Sequence, residues 1–471
     1  TRAQARSHEA LLLPRSAQAS SGHEREMPAE HRRATAMSDI EERLAELERL
    51  GLRRRLRTVS GPQGPRVLLD DEPVLLLCSN NYLGLADHPQ VREAAADAAM
   101  RLGVGAGASR LVSGTMSIHR ELEQRLAAFE GSEACLLLGS GYLANLGTIG
   151  ALAGPGDTIF SDELNHASII DGCRASRAEV VVYRHLDTDH LERCLREHNG
   201  KGRRVIVSDS VFSMDGDVAP LGRIVELAQA HDARTIVDEA HATGALGDGG
   251  RGAVAQTRLQ GKVDVLIGTL GKALGSYGAY ACASEEMVRL LINTARPLIF
   301  STAPSPPSVA GALAALELLE AEPERVASLH EAARTLRGAL AEEGFAVKQN
   351  NMHIVPLVVG HSEAATALCQ AALERGVFAQ AIRPPTVADG TSRLRLATMA
   401  SHDTAELCQA AKVLADAARE LGLDRARLGE PAALGERVVP RGSGHASVSS
   451  SPPTSTSGSG DTSSPPLARV V

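Results

Sequence analysis

The sequence predicts an α/β fold: a mainly parallel sheet sandwiched by helices, followed by a smaller α+β C-terminal domain. Three observations point there. Short apolar runs alternate with helical stretches, several of the runs are apolar on both faces, and Gly-rich or charged residues gather where the runs end. The runs come in the order EACLLLGSG, DTIFSD, AEVVVYRH, RRVIVSDS, ARTIVDEA, VDVLIGTLG and GAYACAS, with VAPLGRIVELAQAHD as an amphipathic helix among them. Strands apolar on both faces are those that helices cover from each side. After Pro304 the pattern is richer in helix, then returns to strands at HIVPLVVG and SRLRLATM, which is the basis for the smaller domain.

The ends differ from this core. Residues 1–37 mix Arg, Ser, Glu and His without periodicity and read as a disordered extension, with Met37 a candidate start. Several acidic residues there argue against a targeting peptide. From Ser38, which stands in an N-cap position, Ile40, Leu44, Leu47 and Leu50 recur at helical spacing and lead into the basic cluster Arg53 to Arg55. The segment 38–85 is therefore expected to open with a helix. The large domain follows at 86–303 and the small domain at 304–423. The Ser/Pro-rich stretch 424–471 cannot bury enough apolar surface to offset its ordering entropy and reads as a disordered tail.

Composition narrows the function. A chain of 471 residues with 43% hydrophobic residues is long enough for two or three domains. Its formal net charge of -8 weighs against nucleic-acid binding, which needs clustered cations to neutralise phosphates. No apolar run approaches the roughly 20 residues of a membrane helix, so a soluble protein is expected. The 7 cysteines form no CxxC pair and the 16 histidines no HExxH motif, so a reducing cytoplasm is expected and no metal is implied.

Three motifs at strand ends carry chemistry. In GSGYLANLG, a Gly-rich turn opens a helix, and Gly141 would let the backbone approach a phosphate; a purely structural turn reads equally well. In VDEAHATG, Asp238 ends a strand and His241 follows. A buried carboxylate there needs a cation, and a protonated pyridine nitrogen would serve, although an Asp capping a loop beside a core histidine also fits. In LIGTLGKALG, Lys272 fits no phosphate-binding P-loop. Leu266 stands where the first glycine should be, Ala273 replaces the metal-binding hydroxyl, and the loop follows the acidic strand instead of preceding it. A helicase is excluded on the same grounds. As a desolvated amine at a strand end, Lys272 could form a Schiff base, with Thr269 offering its hydroxyl to a cofactor phosphate.

The ordered set SNNYLGL, GSGYLAN, DELNHASIIDG, SDSVFSMDGD, VDEAHATG and GTLGKALG resembles the α-oxoamine synthases, pyridoxal-phosphate-dependent acyltransferases of fold type I, across about residues 40 to 422. The resemblance implies that Lys272 holds pyridoxal 5'-phosphate and moves the substrate's α-proton. It implies that Asp238 keeps the ring nitrogen protonated, that His241 and Ser213 bond the phenolic oxygen, and that His166 lies against the ring. Gly141, Tyr142 and Thr269 would hold the phosphate. Ser301 and Thr302 would reach the phosphate of a neighbouring subunit, which requires a homodimer with shared sites. Arg53, Asn80, Arg383, Thr386 and Arg395 match positions that hold carboxylate or acyl groups, with Arg395 the first choice for the amino-acid carboxylate. The segment 38–85 would then bind substrate and 86–303 the cofactor. AIRPPTVADGTSRLRL, residues 381–396, favours the branch that condenses L-alanine with pimeloyl-CoA or a pimeloyl carrier protein over the branch that joins glycine to acetyl-CoA. A non-catalytic subunit of the same fold would lack the lysine.

Overall fold

The computed structural model describes residues 29–50 and 52–429. They fall into two units, one ending at Arg55 and one beginning at Leu56. The first unit is helix α1 (Ala29–Arg49) and the few residues after it. The helix starts well before Ser38, so Ser38 is no N-cap, and the extension expected to be disordered through residue 37 is helical from Ala29. No Gly or Pro interrupts AEHRRATAMS, and nothing in it stops a helix from propagating backwards. Arg53 lies in this unit, where its guanidinium donates to Glu48 Oε2 at 2.7 Å. The expectations for residues 1–28 and 430–471 lie outside the described residues.

In the second unit the strands are β1 (Val59–Ser60), β2 (Arg66–Leu69), β3 (Glu72–Leu76), β4 (Ala134–Leu138), β5 (Thr158–Asp162), β6 (Glu179–Tyr183), β7 (Arg204–Asp209), β8 (Ala233–Asp238), β9 (Val265–Thr269), β10 (Ala279–Ala283), β11 (Ile354–Gly360), β12 (Val377–Phe378), β13 (Ala381–Ile382) and β14 (Ser392–Ala397). The seven strands β4 to β10 are the seven apolar runs of the sequence. They form one sheet in the order β4-β10-β9-β8-β7-β5-β6. Every neighbouring pair is parallel except those made by β10, which runs antiparallel to β4 and β9.

The double-faced apolar pattern has its cause in the packing. Ile206, Val237 and Leu266 point into one apolar cluster and Val207, Ile236 and Ile267 into another, so adjacent residues of β7, β8 and β9 serve opposite faces. A third cluster joins Leu75 and Leu77 to the helices and strands after residue 332, including β11 and β14 of a three-stranded sheet ordered β11-β14-β13. Order persists past the expected tail boundary at 424. A short turn at Arg425–Arg427 brings Leu428 into that third cluster, and Gly429 bonds Val358, because Leu428 supplies an apolar side chain for that cluster to bury. Among the described residues no helix is long and apolar enough to cross a membrane.

Helix starts are fixed by side chains that take up otherwise unpaired N–H groups. Ser140 accepts from Leu143 N at the head of α2 (Gly141–Leu152), and the His166 ring accepts from Ser168 N at the head of α3 (Ala167–Ser176). Asp403 accepts from Ala405 N and Glu406 N at the head of α4 (Thr404–Glu420).

Gly268 in β9 lies opposite Tyr280 in β10, and a Cβ there would fall 2.1 Å from Tyr280 Cζ. Tyr280 is fully buried and donates its hydroxyl to Glu130 Oε1 at 2.5 Å, so it cannot swing aside. Gly268→Ala is therefore expected to cost about 1–3 kcal/mol through overpacking. Thermal denaturation of the apoprotein should show a lower midpoint; an unchanged midpoint would contradict this packing.

Candidate active site

The parallel strands deliver their charged residues to one edge of the sheet. Gly141 follows β4, His166 follows β5, Asp209 ends β7, Asp238 ends β8 and Lys272 follows β9. In an open α/β sheet this carboxyl edge is where ligands bind.

Lys272 is partly buried, with Nζ 3.1 Å from His241 Nε2. His241 Nδ1 lies 2.7 Å from the Tyr82 hydroxyl, which also lies 3.0 Å from Asn80 Oδ1. Arg395 donates from Nη1 to Asn80 Oδ1 and from Nη2 to the Tyr82 oxygen, both at 3.2 Å, and from Nε to the Ser213 carbonyl. One tautomer satisfies the whole chain: Lys272 donates to Nε2, Nδ1–H donates to the tyrosine oxygen, and the tyrosine hydroxyl donates to Asn80.

Burial lowers the Lys272 ammonium to about 8, against the opposing pull of Asp238 and Asp209, and Arg395 adds to the lowering. Burial also holds His241 well below the usual histidine range, helped by the charges of Lys272 and Arg395, so its imidazole is neutral. Asp238 accepts from Ala240 N at 2.8 Å and from Asn145 Nδ2 at 2.6 Å. Asp209 accepts from His166 N at 2.7 Å; burial pushes its carboxyl well up, and the charge of Asp238 pushes it further.

Arg395 is 6% exposed, and among the described residues no carboxylate lies within ion-pair distance of it. A buried guanidinium without an anion is costly, several kcal/mol by order of magnitude. Two of its five N–H groups have no hydrogen-bond partner among the described residues.

Seven of the fifteen expected site residues converge here: Lys272, Asp238, His241, His166, Ser213, Asn80 and Arg395. Gly141 and Tyr142 open α2, where Ser140 takes the N–H groups of Leu143 and Ala144. Those of Gly141 and Tyr142 have no partner among the described residues. A Cβ on Gly141 would stand 4.0 Å from Thr269 Cβ, which puts the Thr269 hydroxyl beside the helix start. Arg383 and Thr386 sit on the segment between β13 and β14, with Thr386 exposed, while the network reaching Lys272 runs through Arg395. Ser301 and Thr302 lie on a segment that bridges through Thr302 to Ser109.

Three residues were not singled out by sequence reasoning. Tyr82 lay inside SNNYLGL without a role, Asp209 ends a strand as Asp238 does, and Asn145 is one helical turn beyond Gly141. The strand-end position of Asp209 was the available signal.

The family model for class I and II aminotransferases matches residues 72–414. The chain belongs to this aminotransferase family, in its α-oxoamine synthase branch. It is 52% identical to the 8-amino-7-oxononanoate synthase of Geobacter sulfurreducens over 383 residues, 81% of this chain and 98% of that one. Among solved structures it resembles a serine palmitoyltransferase from S. paucimobilis with bound pyridoxal phosphate and myriocin (TM-score 0.78, 31% identity, 82% of this chain and 98% of that one). It also resembles an 8-amino-7-oxononanoate synthase from Francisella tularensis (TM-score 0.64, 26% identity, 74% of this chain and 99% of that one).

Pyridoxal phosphate is the cofactor of this aminotransferase family, and the residues fit it. Two unpartnered N–H groups and a hydroxyl stand together at a helix start, as a phosphate requires. A buried carboxylate stands at the next strand but two, near an amine that burial has made partly neutral. The buried Asn145 Oδ1, which has no partner beside Asp238, marks a polar space open to a ligand atom.

Because burial takes Lys272 from 10.5 to about 8, its amine should capture pyridoxal phosphate with a midpoint near that value. Borohydride reduction followed by mass spectrometry of the peptide should show the adduct on Lys272, and Lys272→Ala should carry none. An adduct elsewhere, or a midpoint near 10.5, would contradict the assignment.

Proposed function

We propose that this chain condenses L-alanine with a pimeloyl thioester, CoA or carrier-protein bound, to give 8-amino-7-oxononanoate, the free thiol and CO2, a reaction of biotin biosynthesis. The observation that carries the reading is that Lys272, Asp238, His241 and the unpaired Arg395 converge at one sheet edge, in a chain 52% identical to an 8-amino-7-oxononanoate synthase. Fold similarity to serine palmitoyltransferase is higher by TM-score, but identity to it is 31%. Shared architecture leaves the substrate to be fixed by the site.

Bound pyridoxal phosphate supplies the electron sink at the alanine amino group. The chain's own residues do the rest. Gly141, Tyr142 and Thr269 would hold the phosphate, and Asp238, fixed by Ala240 and Asn145, would accept a hydrogen bond from the protonated ring nitrogen. His241, with its proton on Nε2 and Nδ1 accepting from Tyr82, and Ser213 would hold the phenolic oxygen, and His166 would pack on the ring face. Arg395 binds the alanine carboxylate.

Lys272, part neutral near physiological pH, takes the α-proton of alanine. The α-carbon then bonds to the thioester carbonyl, the C–S bond breaks and the thiol leaves. The original carboxylate departs as CO2, and Lys272 returns a proton to the α-carbon. Asn80, Arg383 and Thr386 would line the acyl side.

A cytoplasmic homodimer suits this reading. Met100, Val104, Leu111, Val112 and Phe300 are large apolar residues left more than half exposed, and Phe300 adjoins Ser301 and Thr302. A second copy would cover them and place those hydroxyls at its phosphate.

Product analysis tests the reading. With labelled L-alanine and pimeloyl-CoA, the enzyme should form 8-amino-7-oxononanoate with loss of labelled CO2, and turn over much more slowly with glycine and acetyl-CoA or L-serine and palmitoyl-CoA. Preference for either of the other pairs would refute it. Arg395→Ala should lower kcat/KM for alanine about 10- to 100-fold, since a hydrogen bond to a charged group contributes ~1.5–3 kcal/mol.

A further inference from the structure

The two residues expected to grip the cofactor ring, His166 and Ser213, sit on separate loops. His166 follows β5 and Ser213 follows β7, strands that are neighbours in the sheet. The path of the chain reverses between them: β5 leads outward to β6, and β7 leads the other way to β8 and β9. At such a switch point adjacent loops diverge and leave a crevice, so the spacing of the two loops needs a tie of its own.

His185, two residues after β6, is that tie. Its Nδ1 lies 2.9 Å from Asp162 Oδ1 and its Nε2 lies 3.1 Å from Asp217 Oδ2. Its ring packs edge-on against Phe212 with centroids 4.3 Å apart, and its side chain is only 6% exposed. Asp162 ends β5 and also accepts from Leu164 N and Leu186 N, which fixes the start of the His166 loop. Asp217 closes the turn that carries Ser213, where Phe212 N donates to its carbonyl and Val211 bridges to Val218. The same turn is held from β14 by Arg393 on Asp215 and by Arg395 on the Ser213 carbonyl.

A neutral imidazole has one N–H and can donate to only one of two facing carboxylates. Protonated, it donates to both. The charged groups facing the ring are Asp162 from β5 and Asp217 and Asp215 from the turn, with Arg393 paired to Asp215. Burial alone would lower His185, but the bonds to Asp162 and Asp217 outweigh it and carry the imidazole from 6.5 to about 9.

We propose that His185 is a positioning residue of this site: its imidazolium, shared between Asp162 and Asp217, sets the spacing of the His166 loop and the Ser213 turn, and so how firmly the cofactor ring is held between them. The consequence for the cofactor rests on the pyridoxal phosphate reading. The bridge itself does not. Because the folded value lies above the unfolded one, the stabilisation is complete below about 6.5 and lost as pH rises through about 9.

Two measurements test this on the full chain. Histidine NMR of the apoprotein, assigned with His185→Gln, should show His185 titrating near 9, and Asp217→Asn should bring it down toward 6.5. On the holoenzyme, the rate of pyridoxal phosphate release should rise about tenfold between about pH 8 and about pH 10. His185→Gln should release the cofactor faster at every pH and lack that step. Should His185→Gln fail to fold, Asp217→Asn, which keeps the Asp162 bond, carries the release test. A His185 titrating near 6.5, or variants that release the cofactor at the wild-type rate with the wild-type step, would overturn the proposal. A protein that takes up no pyridoxal phosphate would overturn the functional reading, and the titration would still decide the bridge.

Discussion

Opposite charges buried together at the carboxyl edge of the sheet are the constraint on which the rest of this structure depends. Asp238, Asp209 and Arg395 are each under a tenth exposed, and Lys272 is partly covered. Taken from water singly, each would cost several kcal/mol. Their proximity changes the outcome. Asp209 is pushed toward its neutral form by burial and by Asp238, the amine of Lys272 is lowered, and His241 is kept neutral. Asp238 is left facing an amine with a proton to move, and Arg395 is left without an anion. A cofactor with a basic ring nitrogen and a substrate with a carboxylate would supply the missing charges.

Two further carboxyls are buried in this protein, each with hydrogen bonds of its own. Glu239, the neighbour of Asp238, is fully buried and accepts from Ala253 N and Val254 N. Glu130 takes the Tyr280 hydroxyl, and Tyr280 lies 3.2 Å from Thr243. Burial raises Glu130 to about 7 and Glu239 to about 8, so near neutral pH Glu130 is about half protonated and Glu239 mostly so. At Gly244 φ is +77° and a Cβ would fall 2.4 Å from that of Ala273. The loop after Asp238 thus passes directly under the residue following Lys272.

The sheet was legible because each central strand is covered twice, and that leaves a local signature: consecutive apolar residues such as Ile236 and Val237, followed by a charge. Lys272, Asp238 and His241 were legible for the same reason, since strand ends can be read from a run's last residue. Tyr82 was not. Its role comes from a hydrogen bond to His241, 159 positions away, which no local pattern encodes. Asp209 repeats the strand-end signal but looked like one acid among several, and its meaning appears only when β7 and β8 pair Asp209 with Asp238. The helix start at Ala29 and the order through Gly429 were missed because polar composition hides both a helix-compatible run and a single apolar anchor such as Leu428. Arg383 and Thr386 came from resemblance, whereas Arg395 is also marked by geometry, as a buried cation lacking an anion.

The claim at the centre is that Asp238 exists to meet a protonated ring nitrogen. Comparing the affinity of the apoprotein for pyridoxal phosphate and for its 1-deaza analogue, in which that nitrogen is a C–H, tests it most directly. The wild type should prefer pyridoxal phosphate by at least about tenfold, and Asp238→Ala should bind the two alike. Equal affinity of the wild type for both compounds, or a preference that survives in Asp238→Ala, would contradict the account.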